Sequence, residues 1–316
     1  MSNSSTFPLV SVCIPAYKNT SYIKRLFESV LVQTYPNIEV VVSDDSPDDS
    51  VKELAQSYQE KLNIRYFKNK PSLGTPANWN YSMKQGVGDY IKLIHDDDWL
   101  ATPDALQIMV DCLEENPEID FVFSAYSNVD LDANTVSTVH ADSNFISLIR
   151  KNPLHLFRAN IIGPPSVILH RKGFSFDFDE KLKWVVDFEG YIKTLQKGHK
   201  FSYIDKPLIN VGISSLQVTK VSSRIREVEI PENLYMLQKQ GLHILKNIWV
   251  YDYYWRLLRN VSIRNEEDIT DAGWNTEIPI PLKRMLQWQK NIPIAYLKFG
   301  ILSKALMFLC FITRKR

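Results

Sequence analysis

YIKLIHDDDWL, residues 90–100, sets three aspartates in a row directly behind a strand-like run. YIKLI alternates and is rich in β-formers, so it reads as a buried strand. Carboxylates that close repel one another, and each resists leaving water. Something must offset that cost where Asp96, Asp97 and Asp98 follow a strand, and a divalent cation with hard oxygen ligands does so. The plain alternative is a solvated acidic turn, or caps for a helix starting near Pro103. A second acidic cluster favours the cation: Asp44 and Asp45 follow IEVVVS (38–43), another strand-like run.

Outward from these clusters the first 125 residues alternate between two patterns. LVSVCI (9–14), IEVVVS (38–43), NIRYF (63–67), YIKLI (90–94) and IDFVFS (119–124) read as strands. Helical spacing covers roughly 20–34, 48–61, 76–86 and 103–116, with Ser46-Pro47 and Thr102-Pro103 as helix starts. The class is therefore α/β, a mostly parallel central sheet flanked by helices. In such sheets ligands bind outside the carboxyl ends of the strands. The segments there are PAYKN, DDSPDD, NKPSLG and HDDDW.

Residues 126–215 are less regular. NVDLDANTVST reads as a hairpin, GPPSVILHRKGF as a turn then a strand, and 183–197 as a helix. Beyond 231 the pattern is helical, with 233–261 as the longest run, a polar break over 265–281 and a final pair of helices. Lys and Arg total 37 against 36 Asp and Glu, and this +1 balance gives no reason to expect nucleic acid. Cys13, Cys112 and Cys310 are far apart and form no zinc or disulfide framework, which fits a reducing compartment. No stretch reaches the ~18 apolar residues of a spanning helix. The nearest, ILSKALMFLCFIT (301–313), is broken by Lys304 and followed by Arg314, Lys315 and Arg316.

Four segments in this order carry a resemblance: VSVCIPAYKNTSYIKRLFESVLVQTYPNIEVVVSDDSPDDS, NKPSLGTPANWNYSMKQGVGDYIKLIHDDDWL, IIGPPSVILHR and FDEKLKWVVDFEGYIKTLQKG. Together, over about residues 8–220, the chain resembles a family 2 glycosyltransferase with the GT-A nucleotide-sugar-binding fold. The resemblance implies a GT-A domain over 1–220, with a nucleotide half at 8–125 and an acceptor half at 126–220. A helical C-terminal extension would follow over 221–316.

It also implies roles. Pro15, Ala16 and Tyr17 match the segment lining the base, and Asp44 and Asp45 the acidic pair at base and ribose. HDDD aligns with the family's D-x-D-D segment, which binds the metal and the diphosphate. Asp98 is then the direct ligand of a divalent cation, Mn or Mg, with Asp97 beside it. Asp96 falls at the variable position, and Asp96 and Asp97 also count toward the nucleotide site. His95 stands where that pattern begins with Asp, and its role is open. Asp187 in WVVDFEGY matches the catalytic aspartate, with Glu189 as the alternative base; both could instead be surface acids on an amphipathic helix. Gly163, Pro164, Pro165 and Ser166 match a segment beside donor sugar and acceptor, where Pro164 and Pro165 stiffen the turn. Ser214 falls where many members carry a histidine, and Thr219 and Lys220 are candidate phosphate contacts.

Tryptophans can stack on sugars. Trp99 is the acceptor-site candidate and Trp184 another, whereas Trp79 is expected in the core. The expected activity is inverting, metal-dependent transfer of a single sugar, of the hexosyltransferase class. The donor is a nucleoside-diphosphate sugar, UDP first, with dTDP and GDP as alternatives; the acceptor is a hydroxyl of a glycan or lipid-linked saccharide. The setting is polysaccharide assembly on the cytoplasmic face of a membrane, with peripheral contact through 294–316 or, equally, packing of those helices on the enzyme or a partner. The rivals are a nucleotidyltransferase-like enzyme, for which PAYKNTS lacks a glycine-rich basic loop, and a non-catalytic binding module.

Overall fold

Strand β1, Val10–Ala16, is buried at all seven positions and lies at the centre of the nucleotide half's parallel strands. β2 (Ile38–Asp44) and β4 (Tyr90–Leu93) pair with it in parallel, and β3 (Ile64–Lys68) extends the sheet beyond β2. A strand buried on both faces needs apolar side chains on both, which explains VSVCI without strict alternation. Cys13 is one of these core residues. Helices α1 (Thr20–Leu31), α2 (Ser50–Tyr58), α3 (Ala77–Gln85) and α4 (Ala105–Glu115) connect the strands. α2 and α4 begin two or more residues after the expected proline starts, because Asp48 and Asp104 first close side-chain turns with Ser50 and Thr102.

The computed structural model describes residues 7–174, 176–214 and 225–313. Over these residues the sheet has nine strands, in the order β3-β2-β1-β4, then β8 (Ile168–Arg171), β6 (Phe121–Asp130), β9 (Phe201–Ile213) and β5 (Trp99–Leu100), with β7 (Thr135–Val139) on β6. It is mixed, with as many antiparallel pairings as parallel ones. The parallel half is the one the sequence predicts. Antiparallel pairing enters the rest because β6 and β7 form the expected hairpin, and β8 enters between β4 and β6 running the other way. β9 returns parallel to β6 and pairs at its far end with β5. α5 (Ser143–Lys151) and α6 (Val186–Gln196) complete this part of the chain.

The run at 233–261 is two helices, α7 (Arg226–Gln240) and α8 (Ile248–Asn260). Gly241 at φ 81° ends the first, in the left-handed region that glycine tolerates. The polar break holds α9 (Glu266–Asp271), started by an Asn265/Asp268 capping box. α10 (Ile280–Gln289), short α11 (Ile294–Lys298) and α12 (Gly300–Ile312) follow.

The chain divides into two compact units that interleave in sequence. One takes in the described residues of Met1–Ile146, Ile161–Glu180 and Lys193–Ser215; the other takes in those of Ser147–Asn160, Lys181–Ile192 and Leu216–Arg316. The segment carrying Asp187 groups with the C-terminal helices.

Candidate active site

The first unit carries the acidic cluster. After β4 the chain turns at His95–Asp98, where Asp98 N–H donates to the His95 carbonyl (3.1 Å). The turn brings one donor atom each from His95, Asp97 and Asp98 within 4.8 Å of one another. Asp98 is buried, its Oδ1 accepts from Gly212 N–H (3.1 Å), and the Ser166 hydroxyl bonds its carboxylate. Ser166 Oγ accepts in turn from His95 N–H (3.0 Å). Burial, and then the charge of Asp97, hold the Asp98 carboxyl well above the usual carboxylate range.

Burial also lowers the His95 imidazole, which favours its neutral form. Its Nδ1 lies 3.9 Å from Asp98 Oδ2, and its buried Nε2 has no hydrogen-bond partner among the described residues. A neutral imidazole with an orphaned nitrogen beside two crowded carboxylates is a donor set that fits a divalent cation. Asp96 points elsewhere. Its Oδ2 accepts from Tyr17 N–H (3.2 Å), and burial pushes its carboxyl up to about 7.

Two aromatic residues brace this turn. The Trp79 ring lies 4.5 Å from the His95 ring and meets Phe178 edge-on, so it is half-buried packing behind the cluster. Trp99 has one face covered by the Arg25 guanidinium at 3.7 Å, and Arg25 Nη2 also donates to the Asp97 carbonyl (3.0 Å). Lys92, buried inside β4, donates to the carbonyls of Ser166 and Ile168, which fixes the Pro165–Val167 turn that presents Ser166. Burial pushes its ammonium down to about 7. Gly163, at φ 92°, sits where a Cβ would meet the Tyr126 ring at 2.7 Å.

Pro15 and Ala16 are buried at the end of β1, and Tyr17 projects beyond them, exposed, with Lys18 Nζ 4.9 Å from its ring centre. Asp44 and Asp45 are both buried and bonded within the fold. Asp44 accepts from Ser46 N–H (2.8 Å), the Asx-turn bond, and from Lys68 Nζ (2.9 Å) and Tyr66 OH (2.5 Å). Asp45 accepts from Asn69 Nδ2 (2.8 Å), Leu73 N–H (3.0 Å) and Gly74 N–H (2.7 Å), so it shapes the 69–74 loop. Ser214 is buried, whereas Thr219 and Lys220 lie outside the described residues.

The second unit carries Asp187, in the first turn of α6. Glu232 of α7 accepts the N–H groups of Lys183 (3.0 Å), Trp184 (2.8 Å) and Val185 (3.2 Å), fixing the chain that leads into α6. Such donors would otherwise be orphaned. Asp187 Oδ1 accepts from Phe188 N–H (2.7 Å) and Oδ2 from Asn160 Nδ2 (3.4 Å). Burial pushes its carboxyl up to about 6. Glu189 is fully buried and paired with Lys239 Nζ at 2.8 Å. It is thus a packed partner of α7 and not a surface acid.

Sequence reasoning missed four residues: Arg25, Lys92, Gly212 and Glu232. Two left a signal, a lysine inside a buried strand and a glycine inside a strand. Arg25 and Glu232 act at long range, and no local pattern marks them. Gly212 yields a direct prediction. A Cβ there would sit 2.3 Å from the Asp97 carbonyl oxygen, closer than real Cβ contacts, so the acidic turn or β9 must shift. Gly212→Ala is expected to weaken Mn2+ binding about 10-fold or more, read by calorimetric titration. An unchanged titration would mean that this close approach does not hold the cluster.

Residues 11–181 match the family described as Glycosyl transferase family 2. The chain belongs to glycosyltransferase family 2. It is thereby a glycosyltransferase, which sets aside the nucleotidyltransferase and binding-module readings. Among curated relatives, an uncharacterized glycosyltransferase of Rickettsia typhi is 28% identical over 238 residues, covering 72% of each chain. Among solved structures, S. aureus TarS 1–349 in complex with UDP-GlcNAc has a TM-score of 0.60 at 19% identity, covering 96% of this chain and 88% of that one. Mannosyltransferase PcManGT from Pyrobaculum calidifontis, in complex with GDP-Man and Mn2+, gives 0.55 at 15% identity, covering 98% and 86%. These likenesses identify the GT-A fold of this glycosyltransferase.

Proposed function

We propose that this glycosyltransferase transfers one sugar, with inversion, from a nucleoside-diphosphate donor to a hydroxyl of a glycan or lipid-linked saccharide, and that it requires a divalent cation. The observation that carries the reading is the convergence of His95, Asp97 and Asp98 donor atoms at the carboxyl end of β4, where α/β sheets bind their ligands. His95, Asp97 and Asp98 would hold the cation. When bound, it supplies positive charge against the charge that develops on the departing nucleoside diphosphate. Because one donor is an imidazole nitrogen, Mn2+ should be preferred to Mg2+.

This chain's own residues do the rest. Asp187 takes the proton from the acceptor hydroxyl, whose oxygen bonds to the anomeric carbon as the bond to the diphosphate breaks on the opposite face. A carboxyl raised to about 6 suits that task, being ionised at neutral pH yet more basic than an ordinary aspartate. Glu189, paired with Lys239, is the weaker candidate for the base. The exposed Tyr17 ring offers a stacking face to the base, and Asp96 meets the backbone beside it. Asp44 and Asp45 hold the loops of the base and ribose pocket, Asp45 through the 69–74 loop. Gly163, Pro165 and Ser166 form the turn beside the donor sugar, and Trp99, with one face on Arg25, is the aromatic residue assigned to the acceptor.

UDP is the first choice of nucleotide, with dTDP and GDP next. Among structural neighbours, TarS 1–349 is in complex with UDP-GlcNAc and PcManGT with GDP-Man and Mn2+. The acceptor is placed at the cytoplasmic face of a membrane, in polysaccharide assembly. The test is nucleotide release from a panel of UDP-, dTDP- and GDP-sugars with Mn2+, with Mg2+ and with a chelator. Slow release from one donor, abolished by the chelator and faster with Mn2+ than with Mg2+, is expected. Equal release in chelator would remove the cation from the reading.

A further inference from the structure

Helix α12, Gly300–Ile312, is amphipathic in the reverse sense. Its inward residues are Ser303, Met307 and Cys310, all buried. Ser303 Oγ accepts from Trp255 Nε1 (3.1 Å), and Cys310 Sγ lies 3.0 Å from Tyr251 OH, both on α8. These bonds fix which face is turned outward. That face is apolar: Ile301 is 79% exposed, Ile312 50%, Phe308 48% and Leu309 45%, with Leu302 at one edge and Lys304 at the other. A large contiguous apolar face on a chain surface calls for an occupant.

Charge says which one. Residues 278–316 contain eight Lys and Arg and no Asp or Glu, leaving the first 277 residues with 29 basic against 36 acidic side chains. The near-neutral total hides a strong asymmetry, and the basic end is the one that carries the apolar face. Lys304 edges it, Lys298 lies exposed on α11 just ahead of it in sequence, Arg284 reaches the Thr313 carbonyl (2.6 Å), and Arg314, Lys315 and Arg316 follow in sequence. A second copy of this chain would have to bring two such basic surfaces together across a symmetric contact, which like charges oppose. An anionic lipid surface accepts both features at once. No described helix is long and apolar enough to cross a membrane; at 13 residues α12 is about 20 Å long against about 30 Å of hydrocarbon.

We infer that the outward face of α12 lies in the headgroup boundary of an anionic bilayer, with Ile301, Phe308 and Ile312 inserted and Lys298 and Lys304 reaching lipid phosphates. This deepens the membrane-acceptor reading proposed above, and rests on it only for the purpose the contact serves.

The test uses the full chain and unilamellar vesicles, without donor or acceptor, so it can fail or succeed separately from sugar transfer. Co-sedimentation with phosphatidylcholine vesicles containing about one-third phosphatidylglycerol is expected to be at least about 10-fold tighter than with phosphatidylcholine alone, and to weaken as salt rises. The Ile301→Ser, Phe308→Ser double variant is expected to lose about 10-fold or more in binding. Lys298→Glu with Lys304→Glu, which alters only exposed side chains, is expected to lose the preference for anionic vesicles. Absence of vesicle binding, equal binding to both compositions, or a dimer in light scattering that the serine variant dissociates would overturn the inference.

Discussion

Asp187→Asn will lower turnover by about 10³-fold while leaving the donor dissociation constant within about twofold. The substitution keeps the side chain's size and its ability to accept from Phe188 N–H, so α6 and its entry, held by Glu232, should be undisturbed. What it removes is the proposed proton acceptor. The pH dependence follows from the same burial. A base works only when ionised, and the Asp187 carboxyl is pushed up to about 6, so kcat/KM should rise with pH through about 6 and level off above. That acid limb should vanish in the residual activity of the variant. Glu189→Gln makes the contrast: it leaves Lys239 without its buried partner and should lower the melting temperature, yet keep the limb. Donor turnover by Asp187→Asn at the wild-type rate would reassign the base.

Asp98→Asn should raise the thermal stability of the metal-free protein by a few degrees and, in the same variant, reduce Mn2+ affinity by about 10²-fold or more. Both effects have one cause. Burial and the Asp97 charge hold the Asp98 carboxyl far above its ordinary range, so at neutral pH the folded state carries a cost for this group that the unfolded chain does not. The sign follows: a carboxyl raised in the folded state lowers stability above the unfolded value of about 4, and the penalty disappears as pH falls below it. The gain from Asn should therefore close toward about pH 3. The amide oxygen can still accept from Gly212 N–H, so the gain is not offset by an orphaned donor. Melting curves with and without Mn2+, across pH, read both halves. A variant less stable without metal, or one that binds Mn2+ as the wild type does, would mean that these carboxylates are not crowded for a cation.

The strand–helix alternation of residues 10–116 was legible because burial on both faces of a parallel sheet writes a continuous apolar run into each strand. β9 was not. Its pairing with β6 shifts register where Ser124 and Ala125 face the stretch from Ile204 to Pro207, and the shift breaks the period-two pattern by which a strand is read. The acidic turn was legible as a candidate site, since three adjacent carboxylates behind a strand repel one another unless positive charge sits among them. Its partners were not: Gly212 and Ser166 reach Asp98 from 114 and 68 positions away in the chain.

By itself the sequence determined the class of fold and the placing of two acidic clusters behind strands, because strand periodicity and carboxylate crowding are local properties. Tertiary structure alone decided that His95 is left with a buried Nε2 that no described group meets, that Glu189 is committed to Lys239, and that the chain leading to Asp187 is held by a helix beyond residue 225. It also decided that α12 turns its apolar side outward. Each of these depends on which distant groups a side chain meets, and burial and pairing between distant groups leave no periodic trace along the chain.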